Sequence, residues 1–215
     1  MEFQRARSPL AKQQRQDGIL SAARQLGAER GVSQVTLTDI AEAVGMHKSA
    51  MLRYFETREE IFLHLAAAEW QEWSVALRRD LAALRRPTTA RVADAIAETL
   101  TARGFFCDLL AQTPLHLERN VSVDAVRDYK LTALAEFAET VAALQKTLPK
   151  LTEEAAGDVV ATATSLAGAF WHMATPSPEV AQLYRDDPRM AHAIVEIRTR
   201  LTRTLTALID GMSRT

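Results

Sequence analysis

The chain has 215 residues, 47% of them hydrophobic and 25% charged, with a net charge of −1. Such a composition can bury a sizeable core in one or two domains, and it excludes a polycation that coats nucleic acid wherever it meets it. A lone cysteine, Cys107, excludes a disulfide framework, and no apolar run approaches the ~20 residues of a membrane span.

Charge is uneven along the chain. Residues 1–58 hold nine Lys/Arg against six Asp/Glu, a local +3, and the remainder is net −4. Within the first fifteen residues Arg5, Arg7, Lys12 and Arg15 face only Glu2. Such an arm either follows phosphates or is a plain solvated terminus. It has no apolar segment of the signal-peptide kind, so the chain is expected in the cytoplasm, where a lone thiol stays reduced.

From Lys12 to Gly31, Ile19, Ala23, Leu26 and Arg30 recur at three and four residues, which predicts a first helix with Gly31 as its C′ cap. Val32 and Val35 are placed to pack the connection. Residues 36–55 then read as two short helices broken by one glycine. Thr36 and Asp39 make a capping-box start, Ile40 and Val44 share a face, and Gly45 sits where the chain must turn. A second helix from about His47 points Met51 and Phe55 inward, leaving His47, Lys48, Ala50, Arg53 and Tyr54 outward or at the rim. Two crossed helices, a small residue at the turn and a polar second helix describe a helix-turn-helix.

The run continues through Arg53-Tyr54-Phe55-Glu56-Thr57-Arg58-Glu59-Glu60-Ile61. Over residues 16–65 the chain resembles the N-terminal DNA-binding domain of the tetracycline-repressor (TetR) family, where Gly-Val-Ser-Lys-Gly-Thr-Leu-Tyr-His-Tyr-Phe precedes a short turn and Lys-Glu-Glu-Leu. The residues themselves offer Lys48 and Arg53 to a phosphate or a guanine edge, His47 as a donor and the Tyr54 hydroxyl to phosphate. Thr38 and Arg58 are placed for backbone contacts, and Ser49 completes the DNA-facing set. The resemblance implies the same roles, with Lys48, Tyr54 and Arg58 matching the family's lysine, aromatic and basic contacts. Two departures put the operator in doubt: Ala50 stands where threonine is common, and Leu52 where a DNA-contacting tyrosine is usual.

Beyond the motif, prolines punctuate helical intervals and nothing alternates like a strand. Thr57 and Glu60 open a long helix to about Leu84, closed by Pro87. Further helices are predicted from Thr88 or Thr89 to Arg103, Gly104 to Gln112, Ser122 to before Pro149, Thr152 to Thr175 and 179–185. Asp187 and Pro188 then start a last helix that runs to about Gly211. The expectation is an all-α protein of about nine helices. Residues 1–56 would hold the basic arm and a three-helix helix-turn-helix domain, and residues 57–215 a helical ligand-binding and dimerisation domain.

Small residues over 155–169, and a stripe of Ala193, Ile197, Leu201, Leu205 and Leu208, suit either an intrachain core or a homodimer through the last two long helices. A dimer is the preferred expectation, because symmetry doubles readout of a palindromic double-stranded operator with half-sites ~34 Å apart. Aromatic and soft residues on the later helices suggest a pocket: Trp70, Trp73, Phe105, Phe106, Phe137, Trp171 and Met173, with His116 and His172 as polar members. The resemblance implies that a small molecule in such a pocket releases the protein from DNA; the lining suggests a mainly apolar one. No enzyme constellation is present: the five histidines have no metal-binding spacing, and no glycine loop cradles a phosphate. No cofactor or metal is expected. The alternatives are a helical scaffold, or a metal or redox sensor built on Cys107, Asp108, His116 and Glu118.

Overall fold

The computed structural model describes residues 9–193 and 196–214, which form ten α-helices and no strand. Arg5 and Arg7 of the basic arm lie outside the described residues, and its Lys12 and Arg15 fall within the first helix. Helix α1 (Pro9–Arg30) ends where Gly31 turns the chain at φ 87°, a conformation that L side chains avoid. One 3₁₀ turn, Val32–Gln34, leads to α2 (Leu37–Ala43). The predicted capping box is present: the Thr36 hydroxyl accepts from the Asp39 N–H at 3.2 Å, and the Asp39 carboxylate accepts from the Thr36 N–H at 2.7 Å. The Thr36 hydroxyl also donates to the Asp39 carboxylate at 2.5 Å, and that bond first, then the Thr36 N–H, holds the Asp39 carboxyl below its usual range.

Helix α2 closes in a Schellman turn. The Met46 N–H donates to the Ala41 carbonyl at 2.8 Å and the Gly45 N–H to the Glu42 carbonyl at 3.0 Å, with Gly45 at φ 64°. Helix α3 is shorter than its spacing predicts. It covers Lys48–Met51 and then loosens into a turn in which the Tyr54 and Phe55 N–H groups share the Met51 carbonyl. Met51 and Phe55 are still buried on one side, because that turn keeps their spacing near-helical.

Helix α4 (Arg58–Ala83) starts at Thr57, whose hydroxyl accepts from the Glu60 N–H at 3.1 Å, and leaves the N-terminal helices to run along α7 (Val123–Thr147). Around this pair lie α5 (Thr89–Thr101), α6 (Gly104–Gln112) and α8 (Glu153–Ala174), with one π-helical turn, Thr113–Leu117, after α6; α9 (Pro178–Asp186) follows α8 and buries none of its residues. The single helix expected from Pro188 to Gly211 is two pieces. A 3₁₀ turn covers Pro188–Ala193, and Glu196 then starts α10 (Ile197–Met212) afresh, its carboxylate accepting from the Thr199 N–H at 2.7 Å.

Trp73, Phe62, Phe106, Leu77, Ile96, Leu100 and Leu109 are fully buried, each stabilising the fold by roughly 1.5–3 kcal/mol on burial alone. The Trp73 indole N–H donates to Thr99 Oγ1 at 3.1 Å, so this large ring buries no unpaired donor. On α10 the buried seam is Leu201, Leu205 and Ile209, packed on α5 and α8. Ile197 and Leu208 are half-buried, and the side chain of Ala193 lies outside the described set. Within the described residues no helix is long and apolar enough to cross a membrane.

Candidate functional site

The helix-turn-helix sorts its side chains by what its turns demand. Ile40, Ala41, Met51 and Phe55 go inward, while Thr38, His47, Lys48, Ser49 and Arg53 are exposed and Tyr54 and Ala50 are half-buried. His47 caps α3 through its backbone alone: its carbonyl accepts from the Ala50 N–H at 2.9 Å and its side chain makes no capping bond. Leu52, 47% exposed, also belongs to this face. The outcome is one polar surface with two cations, an imidazole and two hydroxyls around a short helix.

Arg58 does not join that surface. It is turned inward, with Nε donating to the Val35 carbonyl and Nη2 to the Val32 carbonyl, and Nη1 sits 3.0 Å from Glu59. Its guanidinium also lies 4.8 Å above the Phe62 ring. Arg58 thus donates to two carbonyls flanking the 3₁₀ turn, and in this conformation its guanidinium is directed away from the exposed face of α3.

The nine expected pocket residues do not converge on one cavity. Trp70 meets Trp73 edge-on at 5.4 Å and Phe106 at 5.5 Å, a buried aromatic cluster at the centre of the bundle. Phe105, Trp171 and His172 instead line a groove of about 640 Å³ between the end of α1 and the α6–α8 pair. Phe137 lies half-buried where α7 meets α8 near Gly157. His116 on the π turn and Met173, 54% exposed, face outward. Helical spacing selects a buried face; Phe105 and Phe106 are neighbours in sequence but ~100° apart around α6.

Two clusters join the N-terminal helices to the bundle, and helical periodicity marked neither. On α4, Glu69 is 4% exposed, paired with Arg24 of α1 at 2.7 Å and with Arg103 at 3.4 Å; burial pushes its carboxyl up despite the Arg24 charge. Glu72 repeats the pairing, with Arg24 at 3.2 Å and Arg103 at 3.0 Å. On α6, the buried Asp108 accepts from the Val32 N–H at 2.6 Å and lies 3.1 Å from His172 Nε2. The available signal was a charge inside an apolar run, Phe105-Phe106-Cys107-Asp108-Leu109-Leu110, which demands a buried partner.

The same geometry weakens the sensor alternative. Cys107 is fully buried, its thiol donating to the Leu100 carbonyl at 3.3 Å, and burial pushes the thiol up to about 12, with the Asp108 charge adding to it. Glu118 pairs with Lys130 at 2.7 Å, and within the described residues no three His, Cys, Asp or Glu side chains group as metal ligands.

A helix-turn-helix of this build, joined by one long helix to a larger helical bundle, defines a DNA-binding transcriptional regulator. The family profile of bacterial regulatory proteins, tetR family, matches residues 19–65, and that of the tetracyclin repressor-like C-terminal domain matches residues 67–215. The chain belongs to the TetR family of transcriptional regulators, and it is not an enzyme. Its fold is similar to that of the transcriptional repressor FadR of Thermus thermophilus, solved with lauroyl-CoA, at 17% identity and a TM-score of 0.60 over 92% of this chain and 94% of that one. The fatty acid degradation regulator FadR of Bacillus halodurans is 16% identical, with a TM-score of 0.56 over 91% and 97% of the two chains. RolR, solved with resorcinol, is 16% identical, with a TM-score of 0.55 over 93% and 96%. No curated protein sequence matches the chain significantly. At these identities the solved structures establish a shared fold.

Proposed function

We propose that the chain is a cytoplasmic, homodimeric repressor that binds a palindromic operator and is released by a small, mainly apolar effector. Residues 1–56 act as the DNA-reading unit and residues 57–215 as the regulatory and dimerisation unit. The observation that carries this reading is the face around α3. His47, Lys48, Ser49 and Arg53 stand exposed over the buried pair Met51 and Phe55, and Thr38 and Tyr54 flank them. Lys48 and Arg53 supply phosphate and guanine contacts, Thr38, Ser49 and Tyr54 hydroxyl contacts, and Leu52 an apolar surface for a thymine methyl.

The dimer reading is supported by α8, whose outward row Ala161, Ser165 and Ala169 is small and exposed while its other face is buried. Two such rows allow close helix approach across a two-fold axis, with α10 alongside. An organic effector is supported by analogy with the lauroyl-CoA and resorcinol complexes of the two similarly folded proteins. It acts by binding better to one arrangement of the N-terminal helices than to the other, and DNA must weaken its binding by the same factor. Selection of bound sequences from a random DNA pool tests the reading. Enrichment of a two-fold symmetric sequence is expected; a pool that stays random after repeated rounds would contradict it.

A further inference from the structure

The groove between α1 and the α6–α8 pair contains a carboxylate oxygen that the protein leaves unsatisfied. Asp108 is 5% exposed, and its Oδ2 is committed to the Val32 N–H at 2.6 Å. Its Oδ1 is buried, and no described residue is fixed as its donor. His172 Nε2, whose role turns on the tautomer, lies 3.1 Å away on a side chain 43% exposed. Gln112 Nε2 lies 3.5 Å from the same imidazole nitrogen. A ring nitrogen either donates or accepts. If Nε2 accepts from Gln112, Asp108 Oδ1 faces a lone pair; if it donates to Asp108, the Gln112 amide loses its acceptor. In either case one of the three groups is left without a partner.

The walls beside this oxygen are aromatic. Phe105 and Trp171 are both half-buried in the groove lining. The Trp171 ring is seated against the start of α6 so closely that a Cβ on Gly104 would lie 2.1 Å from it, so glycine there is what lets the indole approach the backbone. Glu29 adds a carboxylate at the rim, and the rim guanidinium of Arg30 is turned to Asp39 at 3.5 Å. A buried carboxylate oxygen without a fixed donor, in a groove that two aromatic side chains also line, suits a protonated amine on a flat apolar body.

We infer that this groove is a binding site for a small aromatic or apolar ammonium ion. Its N–H donates to Asp108 Oδ1 and its body packs against Trp171 and Phe105. With the ammonium on Asp108, His172 Nε2 is free to accept from Gln112, and all three groups are satisfied. Because the other oxygen of the same carboxylate holds Val32, which opens the 3₁₀ turn leading to the capped start of α2, occupancy is felt at the DNA-reading helices. This regulatory role rests on the repressor reading above; the binding site itself does not.

The test is calorimetric titration of the full chain with 2-phenylethylammonium, its neutral isostere 2-phenylethanol and the anion 3-phenylpropanoate. The ammonium is expected to bind saturably and at least ~10-fold tighter than the alcohol, the worth of one charge-assisted bond, and the anion not at all. Asp108→Asn keeps an oxygen for Val32 and so should fold, yet lose that preference. Gly104→Ala, which unseats Trp171, should weaken all ring-bearing probes. Equal affinity for ammonium and alcohol, or an unchanged preference in Asp108→Asn, overturns the site. Operator binding measured on the same preparations separates the two readings: a wild-type chain that binds the ammonium but selects no DNA sinks the repressor and leaves the site standing.

Discussion

Replacing Arg58 separates two roles that one residue cannot fill in the same conformation. Its Nε and Nη2 donate to the carbonyls of Val35 and Val32, its side chain is 18% exposed, and its guanidinium covers Phe62. Hydrogen bonds to a charged group contribute roughly 1.5–3 kcal/mol each, and both acceptors lie at a partly buried turn where water recovers part of the loss. Arg58→Ala should therefore destabilise the fold by about 2–4 kcal/mol, which for a chain of this length lowers Tm by about 4–16 °C. Arg58→Lys keeps the charge but loses the fork, so it should recover only part of that. The assay is thermal unfolding followed by circular dichroism without DNA, paired with the salt dependence of DNA binding. A residue bound to phosphate would act oppositely: Tm would hold, and the slope of log K against log salt would shrink by about 0.9 for each phosphate no longer neutralised. An unchanged Tm with a reduced slope in Arg58→Ala would refute the structural role.

Other consequences follow from burial and packing. Cys107, with its thiol pushed up to about 12, should react with a thiol reagent at pH 8 about 1,000-fold more slowly than a free cysteine, and promptly once urea unfolds the chain. Its raised value also gives a sign for stability: the unfolded thiol ionises first, so stability present below about pH 9 should fall as pH rises toward 12. Urea midpoints at pH 8 and 10 should show that decline, and Cys107→Ala should flatten it. Ala161→Arg places a cation in the exposed small-residue row of α8, and sedimentation should then report monomer at concentrations where the wild-type chain is a dimer. A wild-type monomer, or a dimer indifferent to the change, would move the interface elsewhere.

Local chemistry was readable residue by residue. Thr36 with Asp39, Gly31 and Gly45 announced helix ends because caps and positive φ involve only neighbours in the chain. The prolines bounded α5 to α9 for the same reason. What escaped depended on partners distant in sequence. Residue type grouped Trp70, Trp73, Phe105, Phe106 and Trp171 as one set of pocket candidates, but could not show that Trp70, Trp73 and Phe106 pack on one another while Phe105 and Trp171 look toward α1. The inward turn of Arg58 was hidden because nothing local shows that two carbonyls, 23 and 26 residues earlier, accept from it. The break before α10 was equally hidden: Pro188 is a good helix start, and only the Glu196 cap shows that the helix begins again. Asp108 in its apolar run was the one distant partnership that left a trace in the sequence.

The most direct test of the DNA-reading face is equilibrium binding to a selected two-fold symmetric DNA, titrated over salt, for the wild-type chain, Lys48→Ala and Arg53→Ala. The expected result is tight, competitor-resistant binding by the wild type, with both variants weaker. Any variant that no longer neutralises a phosphate should also lower the salt slope by about 0.9 per phosphate, twice that in a dimer. Equal affinity for selected and random DNA, with one slope shared by all three chains, would contradict it.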